Sequence, residues 1–137
     1  MKNSHCSVLI KLTDDLSDLL IGHTSWFSYY TMLRTYKFYN FGEFKIEFSS
    51  YPGLLYSYDD FYVMKNKRQR LVVMETTNNV FNKQLFDFIN HESLLTWQRA
   101  MIANILATDG KEWTHIFSLY NSGTYNNQYQ VIDLKKF

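Results

Sequence analysis

The sequence has few of the residues that mark specialised protein classes. Its 137 residues include one cysteine, Cys6, one proline, Pro52, and five glycines. A single cysteine excludes a disulfide within the chain. No apolar run approaches the roughly 20 residues of a membrane-spanning helix, so no transmembrane segment is predicted. The net charge of +1 provides no strong field to attract nucleic acid or an anionic membrane, and neither is expected as a partner.

Aromatic residues, in contrast, are abundant. Eleven Tyr and eleven Phe help to raise the aromatic fraction to 18%, and apolar residues make up 46% of the chain. This balance is typical of a folded domain and argues against disorder. The length suits one domain with a modest core. The aromatic content fits extensive strand packing or a pocket for an apolar substrate.

Apolar periodicity predicts the first part of the fold. Residues 7–12 and 18–22 read as two strands joined by a polar turn at 13–15, a hairpin buried on both faces. Recurring apolar residues from Tyr29 to Tyr36, with Ser28 as a possible cap, predict an amphipathic helix. Four short strands are expected next, at 44–48, 54–56, 61–64 and 71–75.

The second part of the sequence favours helices. A helix is predicted from Leu94 to Leu106, stopped at Gly110, and a shorter one from Trp113 to Tyr120. A final strand is expected at 129–134. The order predicts an α+β fold with an antiparallel sheet and helices packed against it, in a single domain over 1–137.

Two residues at the ends of the first hairpin suggest a site. Cys6 precedes the first strand and His23 follows the second, so the hairpin is expected to place them side by side. A thiol and an imidazole within reach of each other can form a nucleophilic pair. A lone cysteine is more often a small buried apolar residue, and a histidine at a strand end is often structural. The other histidines show no metal-ligand spacing, and no cofactor motif is present.

Several sequence blocks together resemble one family. The stretch His-Cys-Ser-Val-Leu-Ile-Lys-Leu at 5–12 and the segment ending in Gly-His-Thr-Ser-Trp at 22–26 resemble the start of the mature catalytic chain in phospholipase B-like proteins. The likeness continues in order through nearly the whole chain, in the blocks Met32–Arg34, Ser49–Gly53, Asp59–Tyr62, Glu75–Thr77 and Tyr120–Tyr129.

The resemblance implies an N-terminal nucleophile hydrolase with an αββα sandwich, of which this chain would hold the first part. It assigns Cys6 as the nucleophile and His23, Trp26 and Thr77 as residues of the active site. Residues 1–5 would precede the nucleophile, and 6–137 would form the start of the catalytic domain. The Asn-Ser-Gly-Thr-Tyr-Asn-Asn-Gln block at 121–128 is a family signature without an assigned catalytic role, and a conformationally demanding turn before a buried strand is the favoured interpretation of it.

The implied chemistry requires cleavage between His5 and Cys6. Cleavage would give Cys6 a free α-amine with a pKa of roughly 7.7–8, and this amine could take the thiol proton. The thiolate would then attack an acyl carbonyl and form an acyl-enzyme that water hydrolyses.

The resemblance also sets what the chain is expected to lack. In the family, a catalytic asparagine and arginine lie beyond the block that ends at residue 129, and a signal peptide precedes the nucleophile. The chain is therefore expected to be a fragment that is inactive without the remainder of its precursor, and a lysosomal or secreted location is expected by resemblance alone. Phospholipid acyl esters are the expected substrates, and an amide substrate or a non-catalytic remnant remain alternatives.

Overall fold

The computed structural model describes residues 5–137 and contains seven strands and two α-helices in that part of the chain. The elements are β1 (His5–Leu12), β2 (Leu19–Trp26), β3 (Thr35–Phe41), β4 (Phe44–Ser50), β5 (Phe61–Lys65), β6 (Arg70–Thr76), α1 (Thr96–Leu106), α2 (Gly110–Ser118) and β7 (Gln128–Asp133). Short 3-10 turns occur at Tyr29–Thr31 and Lys83–Phe88.

The strands form two antiparallel sheets. Strands β1 and β2 make a two-stranded sheet, and β3 to β7 make a five-stranded sheet in sequence order. Strand β6 is buried from Leu71 to Glu75, because Leu71 and Val73 pack against the helices in the core and β1 also packs against β6. The α+β prediction with helices against an antiparallel sheet is confirmed.

The core lies between the five-stranded sheet and the helices. Alternate residues of β4, β5 and β6 face Trp113 and two small residues of α1, Ala103 and Ala107. Small side chains allow close approach of helix and sheet. The buried Trp113 indole donates its Nε1 hydrogen to Oδ1 of Asn104 at 2.8 Å. This bond satisfies the one polar atom of a large buried side chain.

The β1–β2 hairpin packs on the sheet near β6 and is not buried on both faces as predicted. Leu9 is 62% exposed and Leu20 is 50% exposed, whereas Val8 and His23 are half-buried. The continuous apolar pattern of the two hairpin strands predicts burial on both faces of the hairpin. Within residues 5–137, however, no helix or strand covers the outer face of the hairpin.

The prediction of a helix from Tyr29 to Tyr36 is wrong. One 3-10 turn forms there, the Ser28 side chain makes no capping hydrogen bond, and the chain then enters β3. The β3 segment, Thr-Tyr-Lys-Phe-Tyr-Asn-Phe, is rich in aromatic residues, which favour strands. A tight turn at Gly42, with φ of 72°, returns it to pair with β4. Cross-strand pairing therefore overrides the helical spacing at its end, at Thr35 and Tyr36.

Two smaller predictions also fail. Residues 54–56 form an irregular, bent segment rather than a strand. Gly110 does not stop the first helix: α1 ends at Leu106, and Gly110 is the first residue of α2. The Asp109 side chain caps α2 by accepting a hydrogen bond from the backbone N–H of Glu112 at 2.8 Å. An aspartate at this position favours helix initiation.

In residues 5–137, no helix is long and apolar enough to cross a membrane.

Candidate functional site

A cavity of about 360 Å³ opens beside the start of β1, a size within the usual range for small-molecule sites. Five parts of the chain contribute to it: the β1–β2 hairpin, the loop before β5, the end of β6, the first turn of α1 and the segment before β7. The lining residues are His5, Cys6, Phe27, Tyr56, Tyr58, Asp60, Glu75, Thr77, Leu95, Thr96, Trp97, Thr124 and Tyr125.

Cys6 lies on the cavity wall, near the beginning of β1 and directly opposite Ser25 of β2. Burial and, to a smaller extent, the negative charges of Glu75 and Asp60 together raise the pKa of the Cys6 thiol to about 11, although a hydrogen bond with Ser25 opposes the shift. The thiol is therefore protonated at neutral pH while the His5–Cys6 peptide bond is intact. A protonated thiol is a poor nucleophile.

His23 is not directly beside Cys6 as the sequence suggested. The hairpin register places His23 opposite Val8, two positions from Ser25 on the same face as Cys6. Its Nε2 donates a hydrogen bond to the backbone oxygen of Glu75 at 2.9 Å, and its ring lies 6.1 Å from that of Phe61 between centroids. Burial lowers the pKa of His23. In this structure His23 joins the hairpin to β6 and does not line the cavity.

The two other predicted site residues, Thr77 and Trp26, differ in their position relative to the cavity. Thr77, just after β6, lines the cavity together with Cys6. Trp26 is 54% exposed, lies opposite His5 in the hairpin and packs edge-to-face on its imidazole with 6.3 Å between ring centroids. The structure therefore brings Cys6 and Thr77 into one cavity and leaves Trp26 outside it.

A buried carboxyl that the sequence reasoning missed, Asp60, forms part of the cavity wall. Its side chain accepts a 2.6 Å hydrogen bond from the hydroxyl of Tyr125, and Asp60 is only 5% exposed. Burial raises the pKa of Asp60 to about 7, and the neighbouring Asp59 adds to the shift. Asp59 in turn binds Arg34 at 3.3 Å. Asp60 also has a positive φ of 52°, an uncommon conformation that often occurs at functional sites.

Glu75 is the second buried carboxyl of the site. It lies near the end of β6, opposite Tyr129 of β7, and is 1% exposed. Burial raises the pKa of Glu75 to about 8, and the charge of Asp60 adds to the shift. Among residues 5–137, the Oε1 atom of Glu75 has no hydrogen-bond partner, and neither Glu75 nor Asp60 forms an ion pair.

The segment between α2 and β7 positions Tyr125 over Asp60. Oδ1 of Asn121 accepts a hydrogen bond from the backbone N–H of Gly123 at 3.0 Å, Gly123 has a φ of 74°, and Tyr125 has a φ of 53°. This geometry agrees with the interpretation of the block as a conformationally demanding turn. Asp60, Glu75 and Tyr125 each lie in a block that carried the family resemblance, and this was the one sequence signal that could have identified them.

Aromatic side chains form much of the remaining wall. The rings of Tyr56 and Trp97 stack with 5.1 Å between centroids, and those of Phe27 and Tyr58 are 5.4 Å apart. The site thus combines a thiol and two carboxyls with a broad apolar surface. Within the described part of the chain, no group of three potential ligand residues is arranged to hold a metal ion.

Comparison with known proteins shows the family to which the chain belongs. The family model described as phospholipase B matches residues 1–137. The chain belongs to the phospholipase B family. Phospholipase B-like protein A of Dictyostelium discoideum is 51% identical over 145 residues, covering 99% of the chain. Human phospholipase B-like 1 is 49% identical over 139 residues, covering 96% of the chain.

These phospholipase B-like relatives are much longer than the chain. The chain spans 25% of the length of each of these two relatives, so most of each relative has no counterpart here.

Proposed function

We propose that the chain is the nucleophile-bearing part of a hydrolase that removes acyl chains from phospholipids, with Cys6 as its N-terminal nucleophile. The observation that carries the proposal is the position of Cys6 on the wall of a largely aromatic cavity. Cys6 lies at the start of a strand, and cleavage of the His5–Cys6 peptide bond would give this residue a free α-amine.

The raised thiol pKa fits a precursor awaiting this cleavage. With the His5–Cys6 bond intact, the nitrogen of Cys6 belongs to an amide and cannot act as a base. After cleavage, an α-amine with a pKa of roughly 7.7–8 would lie within the same residue as the thiol. It could accept the Sγ proton, and the thiolate could attack the acyl carbonyl. Expulsion of the alcohol would leave a thioester, which water would hydrolyse.

The remaining residues have supporting roles in this proposal. The stacked Tyr56 and Trp97 rings provide an apolar surface on which an acyl chain can pack. Thr77 lines the cavity and can orient the substrate or the thiol. His23 supports the site by joining the hairpin to β6, through its hydrogen bond to the backbone oxygen of Glu75. Trp26, outside the cavity here, would contribute only if the rest of the protein extends the site toward the hairpin.

The complete site is proposed to need more of the polypeptide than these 137 residues. Family resemblance suggests an asparagine and an arginine in a later segment as donors to the oxyanion. The loss of one such donor typically costs about 2.7–4 kcal/mol of transition-state stabilisation. A lysosomal or secreted location is proposed on the same grounds. The names of the relatives support a phospholipid ester, while the cavity itself would also accept an amide with an apolar acyl group.

The proposal is tested with the complete gene product that contains these residues. Mass spectrometry of the purified protein should show an N-terminus at Cys6, and liposomes of phosphatidylcholine should release fatty acid. Cys6→Ala should block both cleavage and release, whereas Ser7→Ala, at an exposed neighbouring position, should leave both intact. An uncleaved protein that releases fatty acid at the full rate would exclude the mechanism, and a cleaved protein without acyl or amide hydrolysis would indicate a binding role.

A further inference from the structure

The mechanism proposed for lipid hydrolysis does not explain how the His5–Cys6 bond is itself cleaved. Before cleavage there is no α-amine, so another group must accept the proton of the Cys6 thiol. With the raised pKa of about 11, the thiol is protonated near neutral pH. A base for the first step must therefore be found among the groups around Cys6.

We propose that Glu75 is the general base that removes the Sγ proton of Cys6 during self-cleavage of the His5–Cys6 bond. This inference rests on the proposed function, because it assigns a residue to the maturation of the same nucleophile. Both residues line the cavity, and β1 packs against β6. The bond from His23 to the backbone oxygen of Glu75 fixes the hairpin on β6 at this residue.

The free oxygen of Glu75 supports this role. Its Oε1 is buried and has no hydrogen-bond partner among residues 5–137, although a buried polar atom without a partner costs about 1–3 kcal/mol. Among the described residues that line the cavity, Glu75 is the one with a buried side-chain atom in this state, and such an atom calls for an explanation. A carboxylate kept available beside a thiol can accept its proton, and its proximity is reflected in the effect of Glu75 on the pKa of Cys6.

Other nearby groups are less suited to the task. Asp60 already accepts a hydrogen bond from Tyr125, and it affects the pKa of Cys6 less than Glu75 does. The Nε2 of His23 carries the hydrogen that it donates to Glu75 and cannot accept another. His5 also lines the cavity, but strand alternation directs its side chain to the face opposite that of Cys6, where its ring packs on Trp26.

The proposed reaction is a transfer of the acyl group from nitrogen to sulfur, followed by hydrolysis. Glu75 takes the Sγ proton, and the thiolate attacks the carbonyl carbon of His5. The carbon–nitrogen bond then breaks, and the nitrogen of Cys6 receives the proton from the Glu75 carboxylic acid. Water hydrolyses the resulting thioester, which leaves a carboxylate on His5 and a free amine and thiol on Cys6.

The groups around Glu75 determine its pH dependence. Cys6 faces it from β1, Asp60 from the loop before β5, Tyr129 from β7 and Tyr125 from the preceding segment, while His23 binds its backbone. Both tyrosines have pKa values raised by burial, so they are neutral near pH 8. Glu75 itself titrates at about 8. Cleavage should therefore accelerate with pH and level off above about 8, as the carboxylate becomes fully populated.

The experiment follows cleavage of the complete gene product after pulse-labelled cell-free synthesis. The rate constant is measured by mass spectrometry from pH 5 to 10 in the wild type, Glu75→Gln, Glu75→Asp and the exposed control Glu43→Gln. Glu75→Gln should slow cleavage at pH 8 by about 100-fold, the lower range for a general base. Its residual rate should keep rising with pH without levelling near 8, because burial still raises the pKa of the Cys6 thiol. Glu75→Asp should retain part of the rate and the levelling, and Glu43→Gln should match the wild type.

Two results would overturn the role of Glu75. One is a folded Glu75→Gln protein, with native near-UV circular dichroism, that cleaves at the wild-type rate or with the wild-type pH profile. The other is a wild-type rate that does not level near pH 8, which decides the question even if the variant fails to fold. Absence of any cleavage in the wild type would instead refute the proposed function itself.

Discussion

The imidazole of His23 donates a hydrogen bond from Nε2 to the backbone oxygen of Glu75 at 2.9 Å. This contact joins the second strand of the outer hairpin to the buried strand β6. It connects residues 52 positions apart in the sequence, and it does so next to the cavity that contains Cys6. The relationship gives His23 a structural role, with a partner on β6 that the sequence alone did not indicate.

Replacement of His23 should weaken the attachment of the hairpin. His23→Ala removes the donor and leaves a buried carbonyl oxygen without its partner, which should lower the free energy of unfolding by about 1–3 kcal/mol. Urea denaturation of the complete protein at pH 7.5 measures this change. His91→Ala provides the control, because His91 is exposed, and its effect should stay within about 0.5 kcal/mol. An equal effect of the two substitutions would contradict the role of His23.

The same residue should make the protein sensitive to acid. Burial lowers the pKa of His23 from its ordinary value of 6.5, so the unfolded chain binds this proton at a higher pH than the folded chain. The contribution of His23 to stability should therefore decrease as the pH falls below 6.5. His23→Gln retains a donor without a titrating ring and should lose less stability than the wild type between pH 7 and 5.

Asp60 should destabilise the fold at higher pH. Its pKa is raised from 3.8 to about 7, so the folded state holds this proton while the unfolded state releases it. Stability should fall as the pH rises through this interval, by up to about 4 kcal/mol at about 1.4 kcal/mol per pH unit. Asp60→Asn can still accept the Tyr125 hydrogen bond and should remove this loss.

The measurement is the free energy of unfolding by urea at pH 4.5 and pH 8. The stability gained by Asp60→Asn over the wild type should be larger at pH 8 than at pH 4.5. Asp14→Asn, in the exposed turn of the first hairpin, serves as the control and should show no such difference. A gain for Asp60→Asn that is the same at both pH values would show that the carboxyl is not titrating in the fold.

The aromatic wall should control substrate binding more than the chemical step. Trp97→Ala removes a ring that stacks on Tyr56 in the cavity. If an acyl chain packs there, loss of an aromatic contact worth about 1.5–3 kcal/mol should raise KM by roughly 10- to 100-fold. The kcat should change much less, because Trp97 is not assigned a part in bond breaking.

Steady-state hydrolysis of a short-chain phosphatidylcholine separates the two constants. Phe88→Ala is a matched control, since Phe88 is a strongly exposed aromatic residue that does not line the cavity. It should leave KM unchanged. A normal KM for Trp97→Ala would place the acyl chain elsewhere.

Local sequence patterns predicted many of the elements but not all of them. The strands at 44–48, 61–64 and 71–75 lie within β4, β5 and β6, because alternating or continuous apolar residues suit a sheet that is covered by helices. The segment at 29–36 misled the prediction, since its helical spacing competes with pairing to β4. Such pairing depends on a partner strand, which a local pattern does not contain.

The candidate site shows the same division between what local sequence patterns predict and what depends on tertiary structure. The sequence by itself determined an aromatic-rich α+β chain with one cysteine in a family-specific block, because composition, periodicity and short motifs are local properties. Only the tertiary structure decided that Asp60, Glu75 and Tyr125 surround that cysteine and that Trp26 points elsewhere. Their meeting depends on strand register and on the packing of the hairpin against β6. Burial there, rather than residue type, raises the pKa values of the thiol and both carboxyls.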